Sequence, residues 1–146
     1  MTRANPTLVK AAELRDAYDF VSVGLAYGNR AYISRETGKI YWVGDAIEPD
    51  EEVPGDLDAP DRYIAVPDRY SLDLGNALVF SFVDQELPDD YDTIRGFFRR
   101  KGAYARFKDL LDARGMLQKW YDFEDRETDQ ALAEWSEENG VQLTDD

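Results

Sequence analysis

The sequence predicts an α+β fold: a small antiparallel sheet of about three strands, an N-terminal helix and a largely helical C-terminal half. Two patterns predict it. Between Ala31 and Val43, β-branched and aromatic residues flank a turn containing Gly38. From Ser71 onward, apolar residues recur three and four positions apart, the spacing of one helical face. Size and composition agree, because 146 residues with 43% apolar and 13% aromatic content suit one packed core. A single domain over 1–146 is expected, interrupted by an acidic loop at 45–61.

The elements follow in order. Asn5 is suited to cap a helix with Pro6 at its first position, where the missing N–H costs nothing. Leu14, Ala17, Tyr18, Val21 and Leu25 would form its buried face, and Gly24 or Gly28 its end. Ala31 to Arg35 and Lys39 to Val43 read as a hairpin joined across Glu36, Thr37 and Gly38. Asp45 to Asp61 holds eight acidic residues, no basic ones, and Pro49, Pro54, Gly55 and Pro60, which describes an exposed loop. Tyr63 to Val66 is a third strand, stopped by Pro67, and a meander with the hairpin is the simplest topology.

Ser71 is placed to cap a helix whose interior, Leu74 to Val83, is apolar around most of its circumference and therefore central. Leu87 and Pro88 break it, and Asp89 or Asp90 starts the next helix, with Tyr91, Ile94, Phe97 and Phe98 buried. Lys101 and Gly102 form the hinge out of it. Ala103, Tyr104, Phe107, Leu110 and Leu111 give an amphipathic helix ending near Gly115. Leu117 to Phe123 is ambiguous. Thr128, Ala131, Leu132 and Trp135 line one stripe of a last helix, closed by Asn139 and Gly140, and Val141 to Leu143 could add an edge strand.

Several function classes are excluded by what the chain lacks. It contains no Cys, hence no disulfide, thiol nucleophile or thiolate metal site. It contains no His, which removes the commonest general base and every imidazole-dependent triad. The acidic loop departs from an EF-hand: counted from Asp45, the sixth residue is Asp50 rather than Gly and the twelfth Asp56 rather than Glu. Gly24 and Gly28 lack the Lys and Ser or Thr of a phosphate loop. No cofactor, metal or catalytic residue is assigned. The sequence shows neither a membrane span nor a secretory signal, so a cytoplasmic location is expected.

Charge distribution provides the candidate site. The net charge is −14, yet Arg95 to Lys119 contains eight basic residues against Asp109 and Asp112. That segment is +6, which leaves −20 on the rest. Arg95, Arg99, Arg100, Lys101, Arg106 and Lys108 are the candidate anion- or partner-binding residues. Intramolecular pairing with the abundant carboxylates is the plainer reading of the same residues. The expected partner is an unidentified protein, the chain being a monomer or homodimer. Nucleic acid is disfavoured by the acidic remainder, although a nucleic-acid or phosphate-binding regulator is the alternative.

The run from Ile94 to Val141 carries FxxxKGAYxRFKDLL at Phe97 to Leu111, the pair Trp120–Tyr121, and ALxEW followed by ENGV at Ala131 to Val141. It resembles the C-terminal half of a bacterial family of uncharacterised proteins, and the hairpin AYISRETGKIYWVGD at Ala31 to Asp45 resembles the N-terminal half. The resemblance implies a compact protein without an established activity and transfers no binding residue. Gly102, Tyr104, Phe107, Trp120, Tyr121 and Trp135 are expected as packing and turn positions. Ser136 stands where a more apolar residue is expected after Trp135.

Overall fold

The computed structural model describes residues 6–44 and 54–145, and these form two compact units. The first comprises residues 1–72 and 130–146, the second 73–129. The Asn5 cap and most of the acidic loop, residues 45–53, lie outside the described residues.

The first unit opens with a strand rather than a helix. Strand β1, Thr7–Lys10, alternates buried Thr7 and Val9 with exposed Leu8 and Lys10. It pairs in parallel with β5, Val141–Thr144, in the register Thr7↔Val141 to Lys10↔Thr144. The partner strand stands at the other end of the chain, so local spacing around Pro6 gave no sign of it. The pairing makes the expected edge strand β5 part of a two-stranded sheet with β1, separate from the hairpin sheet. Helix α1, Ala11–Val23, then buries Leu14, Ala17, Tyr18, Val21 and Ser22, a stripe at the expected helical spacing. Leu25 falls outside it, in a 3-10 turn that ends at Gly28.

The hairpin is formed by β2, Arg30–Ser34, and β3, Ile40–Val43, and the third strand is β4, Tyr63–Ala65. The strand order is β3-β2-β4, which corrects the meander. β4 joins the free edge of β2 because β2 carries the most buried positions: Ile33, fully buried, lies opposite Ile40 on one side and Ile64 on the other. The long connection after Val43 leaves room for that crossover. Gly38 closes the hairpin turn at φ +78°, its N–H donating to Ser34 O at 2.8 Å.

Ser71 does not cap a helix. The Asp68 carboxylate accepts the N–H groups of Tyr70 and Ser71 at 2.8 and 3.0 Å and the Ser71 hydroxyl at 3.2 Å, a side-chain turn that competes with helix initiation.

The second unit is helical. Helix α2, Asn76–Glu86, buries Leu78, Val79, Phe82 and Val83, while Ala77 and Asp84 are exposed and Leu74 precedes it. It is therefore one-sided rather than apolar all round. Helices α3, Tyr91–Phe97, and α4, Ala103–Ala113, follow. Helix α5, Leu117–Glu138, absorbs the ambiguous stretch before Phe123. Its residues 117–129 belong to this unit and 130–138 to the first. The core is aromatic: Trp120, 1% exposed, has the rings of Phe82 and Phe107 edge-on at 5.3 and 5.1 Å. Such contacts add about 0.5–1.5 kcal/mol each to the burial itself. No helix among the described residues is long and apolar enough to cross a membrane.

Candidate functional site

The candidate site is the bend between α3 and α4. The backbone turns there through short-range bonds, Phe98 N–H to Ile94 O, Arg99 N–H to Gly96 O and Arg100 N–H to Phe97 O, all 3.2–3.3 Å. Gly102 then adopts φ +76°, a left-handed conformation that glycine enters without a Cβ penalty, and α4 begins with the bond from Arg106 N–H to Gly102 O. Apolar residues fix both sides of the bend. Ile94 and Phe107 are fully buried, and the Phe98 ring meets Phe80 at 5.5 Å and Phe107 at 6.2 Å. With the apolar positions inward, the basic positions between them are left outward.

Arg95, Arg99, Arg100, Lys101 and Arg106 are all exposed. None makes an ion pair or side-chain hydrogen bond with a described residue. The other three cations of the segment are engaged. Arg114 donates two hydrogen bonds to Asp90, at 3.1 and 3.0 Å, and holds that carboxyl below its ordinary range. Lys119 pairs with Glu86 at 2.7 Å. Lys108 is half-buried, with Nζ 5.3 Å from the Tyr104 ring centroid and 5.4 Å from that of Tyr121. The segment thus divides: two cations pair within the fold, one rests on aromatic rings, and five face solvent.

Beside the bend runs a polar network that sequence reasoning missed. The buried Trp120 indole N–H donates to Tyr104 Oη at 3.1 Å, and the Tyr104 hydroxyl donates to Glu124 at 3.2 Å. Loss of hydration pushes the Tyr104 pKa up to about 12; the Trp120 bond opposes this and Glu124 adds to it. Glu124 lies four residues after Trp120, one helical turn away. That spacing becomes readable only once α5 is known to start at Leu117.

The expected packing positions divide too. Phe107 and Trp120 are core, Gly102 is the turn, Tyr121 is half-buried and Tyr104 is 40% exposed. Trp135, expected in the core, is only half-buried, and the buried position of that turn is Ser136, 2% exposed. The buried positions of α5 are Trp120, Phe123, Thr128, Leu132 and Ser136, and with Ser136 inward the adjacent Trp135 is turned about 100° toward the edge.

The first unit has a separate polar cleft of about 370 Å³, lined by Ser34, Arg35, Glu36, Asp61, Arg62 and Tyr63. Its guanidiniums serve the fold: Arg35 donates to the carbonyls of Pro60 and Asn139, and Arg62 pairs with Asp56 at 2.8 Å. Among the described residues no group of three or more Asp or Glu is placed to hold a metal ion.

Fold and site define an acidic α+β protein with a basic bend in its helical unit. The model of the uncharacterised protein family UPF0158 matches residues 4–145, and the chain belongs to that family. Comparison with curated proteins and with solved structures returns no match.

Proposed function

We propose that the chain is a cytoplasmic, non-enzymatic interaction module whose α3–α4 bend docks an acidic segment of a partner protein. The observation that carries this reading is the set of five exposed cations without an ion-pair partner among the described residues, on the two sides of one bend in a chain with a net charge of −14. Stability does not ask for the arrangement. Like charges at close range repel, and an exposed ion pair contributes only about 0–1 kcal/mol, so the fold gains nothing by concentrating them. Arg114 and Lys119 demonstrate that cations of the same segment do pair where a carboxylate is within reach. A concentrated positive field does serve association, by raising the encounter rate with an acidic surface and orienting it. Nucleic acid suits it less well, because the −20 remainder repels a phosphate backbone and no groove-reading motif accompanies the bend.

The test is a fluorescence-anisotropy titration with a labelled decaglutamate peptide, a single-stranded RNA and a DNA duplex. It compares the wild-type protein with the fourfold variant Arg99→Glu, Arg100→Glu, Lys101→Glu, Arg106→Glu. The peptide should bind the wild type, weaken as salt is raised and be lost in the variant. Micromolar or tighter nucleic-acid binding at physiological salt, abolished by the same reversals, would replace the proposal with a nucleic-acid-binding regulator.

A further inference from the structure

The five cations of the bend supply charge but little register. Long exposed side chains attract any polyanion within about 8 Å, the screening length at physiological salt. Lys108 differs from them. Its ammonium is held by two helices at once, over Tyr104 one turn earlier on α4 and over Tyr121 on α5. Tyr104 is itself fixed by Trp120 and Glu124. Ring faces attract a cation yet accept its N–H groups only weakly, and Nζ makes no hydrogen bond with a described residue. Its donors therefore remain unused on a side chain whose freedom is already restricted. A preorganised cation flanked by tyrosines, a residue type enriched at interface hot spots, meets a partner at a low ordering cost.

Resting on the proposal that the bend docks an acidic partner, the geometry points to Lys108, bracketed by Tyr104 and Tyr121, as the anchor that binds one carboxylate side chain of that partner. The carboxylate accepts from Nζ, and its methylene stem lies against the exposed part of the Tyr104 ring. Arg95, Arg99, Arg100, Lys101 and Arg106 steer the partner in, and Lys108 sets its register. The competing role for the same contacts is a staple between α4 and α5 with no part in binding.

The experiment follows association and dissociation of the labelled decaglutamate peptide on immobilised full-length protein, with thermal unfolding of each variant alongside. Lys108→Met keeps the stem and removes the charge. It should leave the unfolding midpoint close to wild type and speed dissociation about tenfold or more, as loss of one partner of a desolvated charge pair does. Arg99→Gln should change mainly the association rate and the salt slope, by a few-fold. Tyr121→Leu, which alters no charge, should also speed dissociation. If Lys108→Met fails to fold, an unchanged dissociation rate in Tyr121→Leu overturns the anchor. Dissociation in Lys108→Met no faster than in Arg99→Gln likewise overturns the anchor but leaves docking at the bend intact. Absence of any wild-type binding would remove both.

Discussion

At Gly38 two constraints meet on one residue. Its φ of +78° is disfavoured for any L side chain, and a Cβ there would fall on the Leu8 carbonyl oxygen, a backbone atom that cannot move aside cheaply. Gly38→Ala should therefore lose more than about 2 kcal/mol in urea unfolding, a cost reserved for steric or strained sites. Ser136 is the opposite case. Its hydroxyl is buried without a hydrogen-bond partner among the described residues, so Ser136→Ala should gain about 1 kcal/mol by removing an unsatisfied group and improving helix propensity. Trp120→Ala should lose about 3–5 kcal/mol, with collapse of the aromatic cluster as the cause. The sequence singled out Ser136 as unexpectedly polar but placed Trp135 in the core, because positions three and four residues after Leu132 lie about 100° apart around the helix and the local pattern does not say which one faces inward. Gly38 was legible as a turn. Its close approach to Leu8 was not, since nothing local shows that β1 passes there.

Among the elements, the buried face of α1 from Leu14 to Val21, though not its start, and α4, the hairpin and the stop after Asn139 were readable, because each carries its own periodicity or turn chemistry. The β1–β5 pair and the β3-β2-β4 order were not, because both depend on contacts between distant parts of the chain. Two contacts of the helical unit, Tyr104 with α5 and Arg114 with Asp90, make pH predictions. Tyr104, held up at about 12 against an ordinary value of 10.0, keeps its proton longer in the folded chain than in the unfolded one. Its contribution to stability is full below pH 10 and is lost as pH rises toward 12. A difference titration of tyrosinate absorbance between wild type and Tyr104→Phe should accordingly show no ionisation of this ring until the pH passes the ordinary tyrosine range. Asp90 has the reverse sign. Its pKa is lowered from 3.8 by the Arg114 hydrogen bonds, so stabilisation is present above that value and disappears as pH falls through the lower folded one. Asp90→Asn should flatten the stability–pH curve only in that acid window, and high salt should shrink the difference because Arg114 is half-exposed.

For the molecule as a whole, the charge imbalance between the 95–119 segment and the remainder was visible in the sequence, and so was the bend at Gly102. What was not visible is which cations the fold consumes. Asp90 and Glu86 precede the segment by sequence distances that carry no pairing signal, and only packing brings them to Arg114 and Lys119. The charge is thus divided into a part that serves the fold and a part on Arg95, Arg99, Arg100, Lys101 and Arg106 that does not. It follows that the fourfold reversal to Glu should change unfolding free energy by less than about 1 kcal/mol, the scale of exposed charges without ideal partners. The most direct test of the docking surface is a two-dimensional amide NMR titration of the labelled protein with decaglutamate peptide at physiological salt. Shifts are expected to concentrate at 95–108 and to extend to Tyr121 and Glu124 on α5. Shifts centred instead on β2, β4 or the Arg35–Arg62 cleft, with the bend unmoved, would contradict the account.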